Sequence, residues 1–161
     1  MKVGDKHYRS IWVEEDGTTV GIIDQTRLPF DFAERPLHSL EDAAEAITVM
    51  RVRGAPLIGA TAAYGICLAM RADPSDDALD RAYDRLLATR PTAVNLRWAL
   101  DLVSTALAPV TGTQRVDLAF RLAADLLQQD AQGCQGIGEH GMALIQKLYQ
   151  QLPTEKTPIN I

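Results

Sequence analysis

The pattern of apolar and polar residues at the start of the chain predicts a β-hairpin. Two short runs, Tyr8 to Val13 and Thr19 to Asp24, are rich in β-branched and aromatic residues. The polar segment between them contains Asp16 and Gly17, a pair that favours a tight turn. Because a two-stranded hairpin is not stable alone, we expect it to pack against the rest of the domain.

The hairpin is followed by a predicted connector and then by the first predicted helix. Pro29 and Pro36 disrupt strand pairing and helices, so we interpret residues 25–36 as an extended connector. Ser39 and Asp42 have the spacing of a capping box, which marks the start of a helix. The apolar face of this helix is formed by Leu40, Ala43, Ala44, Ile47 and Met50.

The second predicted helix, from Leu57 to Arg71, is rich in glycine and alanine. Gly54 suits the end of the first helix, and Pro56 suits the first turn of the second. Small residues let another helix approach closely, so we expect the second helix to be central and buried. Residues 55–70 come nearest to a membrane span but lack the roughly 18 uncharged apolar residues that one requires.

Four further helices are predicted from apolar residues three or four positions apart. The third begins with an acidic turn, and the fourth is ended by Pro109. Their approximate ranges are Asp76 to Ala88, Leu96 to Leu107, Val116 to Leu127, and Ile137 to Gln151. The predicted fold is mainly α: a six-helix N-terminal domain with a small N-terminal β-hairpin.

The chain is predicted to contain one domain and the beginning of another. We expect residues 1–152 to form the helical domain, with the hairpin in residues 1–24. Residues 153–161 combine a polar linker between two prolines with a final Ile-Asn-Ile run. We interpret that run as the truncated first strand of a missing domain.

The composition is that of an ordinary globular domain, with 47 % hydrophobic and 23 % charged residues among 161. The formal net charge of -5 provides no broad basic surface, so we expect no nucleic-acid or membrane partner. The N-terminus lacks the pattern of a signal peptide, and we expect a cytoplasmic protein. Cys67 and Cys134 fall in predicted helices and are expected to be buried, reduced thiols.

A candidate anion site lies between the first and second predicted helices. Arg51 and Arg53 stand beside Gly54, which leads directly into a helix N-terminus. Free backbone amides and the positive end of the helix dipole favour a phosphate there, and an arginine can bond two of its oxygens. The alternative is a helix end with two solvated arginines.

A second candidate site has the same construction. Arg90 precedes Pro91 and Thr92, two residues that suit the start of the fourth helix. The alternative is a capped helix with an exposed arginine. Two such constructions in one short acidic domain favour a phosphate ligand.

The motif from Gly136 to Gly141 contains Glu139 next to His140, but it does not indicate a catalytic pair. Adjacent residues point about 100° apart on a helix, and no predicted strand precedes the glycines. We interpret them as packing glycines and a locally hydrogen-bonded histidine. His7 and His38 are isolated, so no metal site is expected.

Four segments carry a resemblance to a known family: Asp24 to Pro29, Val52 to Gly59, Arg90 to Leu96, and Ile137 to Gly141. In order and approximate spacing they resemble methylthioribose-1-phosphate isomerase, a family related to the α, β and δ subunits of translation initiation factor 2B. The resemblance covers essentially the whole chain. It implies that a Rossmann-like C-terminal domain is absent and that the complete protein is a homodimer.

The resemblance implies that Arg53, Gly54, Ala55 and Arg90 bind a phosphorylated sugar substrate, in agreement with the two candidate anion sites. The implied reaction converts 5-methylthioribose 1-phosphate to 5-methylthioribulose 1-phosphate in methionine salvage, with no redox cofactor and no obligatory metal. Phosphate on the anomeric oxygen prevents simple ring opening, so acid-base groups must assist the proton or hydride movement.

The family assigns that work to a cysteine just after the strand that begins at Ile159 and to an aspartate in the C-terminal domain. Neither Cys67 nor Cys134 occupies that position, so we expect no catalytic residue here and no isomerase activity from this chain alone. Two alternatives stay open: a regulatory or scaffolding subunit related to initiation factor 2B, and ribose-1,5-bisphosphate isomerase. The presence of both Arg53 and Arg90 favours methylthioribose-1-phosphate isomerase over the regulatory subunit.

Overall fold

The computed structural model of the protein describes residues 2–151, so the predicted linker and strand at 153–161 lie outside the described residues. The strands are β1 (Lys2–Val3), β2 (Lys6–His7), β3 (Ile11–Val13), β4 (Val20–Ile23) and β5 (Glu34–Leu37). The helices are α1 (Leu40–Thr48), α2 (Ala55–Ala72), α3 (Asp76–Leu87), α4 (Val94–Leu107) and α5 (Gly112–Gln150). The chain forms two compact units, of which the first ends at Leu127 and the second begins at Gln128.

The predicted hairpin is present as β3 and β4, which pair antiparallel with Trp12 opposite Gly21. A third strand, β5, pairs with the other side of β4, and β1 and β2 form a separate two-stranded sheet. The prediction that residues 25–36 are only an extended connector is therefore wrong at its end. Pro36 is tolerated in β5 because this strand lies at the edge of the sheet, where a missing amide donor leaves no ladder bond unmade.

Side-chain caps begin α1 and α3 where the sequence predicts these helices to start. At the start of α1 the Asp42 amide donates to Ser39 Oγ at 3.2 Å, and the Ser39 amide donates to the Asp42 carboxylate at 3.0 Å. The predicted capping box is thus confirmed. The Ala78 amide likewise donates to Ser75 Oγ at 3.2 Å at the start of α3. α1 ends at Thr48, several residues before the predicted end.

Within residues 2–151 there are five helices rather than the predicted six, because the predicted fifth and sixth helices are one helix, α5. Four glycines at positions 133, 136, 138 and 141 lower the helix propensity of this segment by about 1 kcal/mol each. They keep their amide donors, however, and no proline interrupts the segment. The predicted fold class, mainly α with a small β element, is confirmed.

α2 is the centre of the helical core, as predicted, and is buried from Ile58 to Met70. A Cβ placed on Gly65 would lie 3.0 Å from Leu86 Cδ1 and 3.2 Å from Ala43 Cβ, so this glycine lets α3 and α1 approach α2 closely. By length and composition α2 could cross a membrane, but 67 % of it is buried inside the protein. Core helices pass the same test, so α2 is no sign of a membrane span.

The three-stranded sheet packs on the helices through a shared apolar core. Four of its buried residues belong to the same cluster as those of the helices; they are Ile11, Val20, Ile22 and Leu37. The expectation that the hairpin packs against the helical domain is confirmed.

The described part of the second unit consists of the end of α5, and no residue from 128 to 151 is buried. Cys134 is exposed there because no other described element of that unit covers the helix. The prediction of buried thiols is therefore wrong for Cys134 and confirmed for Cys67.

Candidate functional site

The N-terminus of α2 is exposed and carries no side-chain cap. Gly54 is its N-cap residue, with φ of 94° and ψ of 135°, a left-handed conformation that favours glycine. The first helical bond runs from the Ile58 amide to the Gly54 carbonyl at 3.0 Å. The amides of Ala55 and Leu57 have no partner within the helix, so they are donors that an anion can use.

The N-terminus of α4 has the same character. Its N-cap is Ala93, which has no side-chain acceptor, so Thr92 does not cap the helix. Arg90 lies in the preceding turn, where its carbonyl accepts a bond from the Ala93 amide at 3.0 Å. Its side chain is half-buried and makes no hydrogen bond or ion pair with the residues that the structure describes.

The two helix N-termini lie side by side because α2 and α4 pack through Gly59. A Cβ on Gly59 would lie 3.0 Å from the Asn95 carbonyl oxygen and 3.4 Å from Ala99 Cβ. Gly59 is about one turn from the start of α2, and Asn95 is in the first turn of α4. The positive ends of both helix dipoles therefore lie at the same end of the helical core, and Arg53 and Arg90 each precede one of these two helix starts in the chain.

The two arginines of the first candidate motif have different environments. Arg51 donates to the Asp24 carboxylate at 2.6 Å and to the Glu45 carboxylate at 2.9 Å. These contacts raise the pKa of Arg51, first through the bond to Glu45 and then through the bond to Asp24. The interpretation of Arg51 as one of two guanidinium groups free to hold an anion is therefore wrong, since its charge is already paired.

Arg53 is exposed and stands directly before the Gly54 cap. Its Nη2 donates to the Gln25 carbonyl at 2.7 Å, and its guanidinium forms no ion pair with any carboxylate of residues 2–151. A guanidinium has five N–H donors, so this single bond orients the group and leaves most of its donors for a ligand. The positive charge at the start of α2 is thus not neutralised by any acidic residue within 2–151.

Asp24 is a buried carboxylate that was not predicted as a site residue. It is 4 % exposed and follows β4, and one of its oxygens accepts bonds from the amide and the hydroxyl of Thr26 at 3.1 and 2.5 Å. Burial by itself would raise the pKa of Asp24, but the bonds from Thr26 and Arg51 outweigh it and hold the pKa below its usual value. The signal available in the sequence was an aspartate with a threonine two residues later, a pattern typical of a side-chain-bonded turn.

The motif around His140 belongs to the second unit and is hydrogen-bonded locally. His140 Nδ1 lies 2.7 Å from the Gly136 carbonyl oxygen, and Glu139 accepts a bond from the Gln135 side chain at 2.7 Å. The prediction of a locally bonded histidine is confirmed. The glycines of this motif have nothing within 4 Å of a Cβ position, so within the described residues they are not packing glycines.

Among residues 2–151 no group of three or more histidine, cysteine, aspartate or glutamate side chains is arranged to hold a metal ion. The groups described at the two helix ends are backbone amides and the guanidinium groups of Arg53 and Arg90. Such groups bind the oxygens of a phosphate and do not themselves transfer protons at neutral pH.

Two solved structures are similar to this one. The translation initiation factor eIF-2B, subunit delta, from A. fulgidus matches with a TM-score of 0.71 and 35 % identity, over 78 % of this chain and 38 % of that chain. The 5-methylthioribose 1-phosphate isomerase from Pyrococcus horikoshii OT3 matches with a TM-score of 0.67 and 33 % identity, over 75 % of this chain and 36 % of that chain. The fold is thus a helical domain found both in an initiation-factor subunit and in a sugar-phosphate isomerase.

The sequence model of the Initiation factor 2 subunit family matches residues 51–152, which is more than half of the chain. The chain belongs to this family, and the family resemblance recognised in the sequence is confirmed.

Curated relatives named methylthioribose-1-phosphate isomerase match most or all of the chain. The protein from Rhodospirillum centenum is 56 % identical over 161 residues, which are 100 % of this chain and 42 % of the relative. The protein from Escherichia coli O45:K1 is 50 % identical over 153 residues, which are 95 % of this chain and 41 % of the relative. The chain therefore spans about two fifths of the length of these relatives.

Proposed function

We propose that this chain is the N-terminal, substrate-binding part of an isomerase that converts 5-methylthioribose 1-phosphate to 5-methylthioribulose 1-phosphate. The observation that carries the proposal is the pair of uncapped helix N-termini, α2 and α4, held side by side through Gly59, with Arg53 and Arg90 before them. Free amides and unpaired guanidinium groups suit a phosphate dianion. The names of the curated relatives support the choice of sugar phosphate.

In this proposal the chain binds and orients the substrate and does not carry out the proton or hydride movement. Arg53, Gly54 and Ala55 hold phosphate oxygens at the start of α2, and Arg90 holds them from the start of α4. The acid-base groups lie in the part of the relatives that this chain does not cover, so the 161-residue chain alone is inactive. The complete protein is a cytoplasmic homodimer that works without a redox cofactor.

Ligand binding to the 161-residue chain tests the binding role. Titration of methylthioribose 1-phosphate, followed by NMR amide shifts or calorimetry, should show saturable binding. Arg53→Ala and Arg90→Ala should each weaken it about 10-fold or more, because a hydrogen bond to a charged group contributes roughly 1.5–3 kcal/mol. Arg81→Ala is the matched control, since Arg81 is an exposed arginine on α3. Equal effects of all three variants would exclude a specific site.

Activity is tested by joining residues 1–151 to the remaining part of the Rhodospirillum centenum relative, which is 56 % identical to this chain. The fusion should isomerise methylthioribose 1-phosphate, and Arg53→Ala or Arg90→Ala in the fusion should reduce kcat/KM. The 161-residue chain should show no turnover. Turnover by the chain alone would contradict the proposed division of labour.

A second candidate is a regulatory or scaffolding subunit, favoured by the similarity to the archaeal subunit delta at a TM-score of 0.71. A chain of that kind would show no phosphosugar affinity in the titration, and the fusion would be inactive although folded. The third reading, ribose-1,5-bisphosphate isomerase, predicts that ribose 1,5-bisphosphate binds the chain more tightly than methylthioribose 1-phosphate does.

A further inference from the structure

We propose that Asp24 and Arg51 are positioning residues that hold the Arg53-Gly54 turn in the form that binds phosphate. This inference rests on the proposed function, because it concerns the same anion site. Neither side chain needs to touch the ligand. Their role is to fix the backbone from which Arg53 and the first amides of α2 project.

The first argument is that the Asp24 carboxylate connects the end of β4 to the turn before α2. One oxygen accepts bonds from Thr26, and the other accepts a bond from Arg51 at 2.6 Å. Asp24 is 4 % exposed, so this charge contact is largely shielded from solvent. A shielded, hydrogen-bonded pair holds its geometry better than a surface ion pair does.

The second argument is that backbone bonds run between the same two segments. The Gln25 amide donates to the Arg51 carbonyl at 2.9 Å, and the Gln25 carbonyl accepts a bond from the Arg53 side chain at 2.7 Å. Gln25 lies between Asp24 and Thr26, so the carboxylate pair and these bonds form one connected patch. The direction of the Arg53 guanidinium therefore depends on where Asp24 and Arg51 place Gln25.

The third argument is that the turn has an unfavourable backbone conformation that other contacts must hold. Met50 has φ of 61° and Gly54 has φ of 94°, so left-handed residues stand on both sides of the segment 51–53. A left-handed conformation costs a non-glycine residue such as Met50 about 1 kcal/mol or more. The amides of Arg51 and Val52 both donate to the Ala46 carbonyl, at 2.9 and 3.3 Å, which anchors the turn to α1.

From these contacts we expect that loss of the pair loosens the turn without removing any ligand group. Arg53 and the amides of Ala55 and Leu57 would be present but no longer held in one arrangement. Phosphate binding would then have to restore their order, so the affinity would fall while the number of donors stays the same.

The experiment compares Asp24→Asn, Arg51→Gln and the double variant with the unchanged chain of 161 residues. The first readout is amide hydrogen exchange without ligand at Gln25 and Ile58, whose bonds to the Arg51 and Gly54 carbonyls report on the turn. Exchange at these amides should rise about 10-fold or more, and the double variant should behave like either single variant because the two side chains act as one unit.

The second readout is the dissociation constant of inorganic phosphate, measured where circular dichroism shows every variant to be folded. The constant should rise about 10-fold in each variant, a loss of about 1.4 kcal/mol. Thr26→Val removes only the hydroxyl bond from the exposed Thr26 to Asp24 and should give a smaller rise; it replaces the charge variants if they do not fold. Asp77→Asn is the matched control, because Asp77 is an exposed carboxylate in the first turn of α3 and its loss should change neither readout.

The outcomes separate this inference from the proposed function. Unchanged exchange at Gln25 and Ile58 in Asp24→Asn would overturn the positioning role. Tighter phosphate binding in Asp24→Asn would also overturn it, since that result would mean that a released Arg51 serves as a ligand. Faster exchange at Gln25 and Ile58 alone in Asp24→Asn and Arg51→Gln supports the positioning role. Failure of phosphate to bind the unchanged chain would instead count against the proposed function.

Discussion

Gly59 of α2 lies against the backbone carbonyl of Asn95 in α4, and this contact sets the distance between the N-termini of the two helices. A Cβ at position 59 would stand 3.0 Å from that oxygen, closer than a real Cβ normally comes. Because the oxygen belongs to the backbone, a larger side chain can be accommodated only if one helix moves. The candidate anion site is therefore sensitive to a residue that has no ligand-binding group of its own.

Gly59→Val should lower the free energy of unfolding by about 1–3 kcal/mol, the usual cost of overpacking a tight contact. It should also weaken phosphate binding, because it separates the two helix ends. Urea unfolding and phosphate titration measure the two effects. Gly138→Ala is the control: nothing lies within 4 Å of a Cβ there, so this change should not lower stability. Unchanged stability in Gly59→Val would contradict the observed helix packing.

The hydrogen bonds that Asp24 accepts from Thr26 and Arg51 should make stability depend on pH in the acid range. The pKa of Asp24 is lowered on folding from its usual value of 3.8, so the ionised carboxylate favours the folded state. The contribution of Asp24 to stability is complete above about pH 5. It is lost as the pH falls below the pKa of Asp24 in the unfolded chain and then through its lower pKa in the folded chain. The difference in unfolding free energy between the unchanged chain and Asp24→Asn should therefore be constant from about pH 5 to 8 and shrink below about pH 4.

Urea unfolding at a series of pH values measures this difference. Subtracting the Asp24→Asn curve removes the contributions of other carboxylates, such as Asp42 and Asp73, whose pKa values are also lowered. A difference that grows toward low pH would show that Asp24 is not stabilised in its ionised form.

Arg115 should be a major determinant of stability at the end of the helical core that lies away from the anion site. It is fully buried, and its guanidinium donates to Asp76 and to backbone carbonyls, including Pro74 at 2.8 Å. Arg115→Met leaves these acceptors without a partner and should cost about 3–5 kcal/mol. Arg121→Met, on the exposed side of the same helix, should change stability by less than about 0.5 kcal/mol.

Thermal or urea unfolding compares the two arginine variants. Phosphate affinity, measured while Arg115→Met is folded, should match that of the unchanged chain, since Arg115 acts at the C-terminus of α4. A selective loss of phosphate affinity in this variant would mean that the two ends of α4 are coupled.

The two cysteines should differ strongly in reactivity. Cys134 is exposed, whereas Cys67 is fully buried and burial raises its pKa, so little thiolate forms at neutral pH. A disulfide reagent at pH 8 should modify one thiol rapidly and the second only at the rate of unfolding. Cys134→Ser should abolish the rapid phase and leave the slow one. Two rapid phases in the unchanged chain would contradict the burial of Cys67.

Features that depend on neighbours along the chain were accessible from the sequence. The capping box of Ser39 and Asp42, the glycine-proline start of α2 and the apolar faces of α1, α3 and α4 all follow from spacings of three or four residues. The small residues of α2 also indicated its central position, because only a crowded site benefits from glycine and alanine in a helix. Arg53, Gly54, Ala55 and Arg90 were predicted to bind substrate from the family resemblance of two short motifs, and their role stays a prediction.

Long-range pairing decided what the sequence did not predict. β5 exists because Glu34–Leu37 finds an unpaired edge of β4, and a proline in an edge strand cannot be distinguished locally from one in a connector. The predicted break before the sixth helix was wrong because four glycines weaken a helix but do not end it.

By itself, the sequence determined the positions of most helices, the capping box of α1 and the arginines that precede two helices, since each depends on residues a few positions apart. Only the tertiary structure decided that Gly59 brings the starts of α2 and α4 together, and that Asp24 neutralises Arg51 while Arg53 stays unpaired. Asp24 and Arg51 are 27 positions apart in the chain. Which charge is paired and which is available to a ligand depends on the folded chain bringing such distant residues within hydrogen-bonding distance.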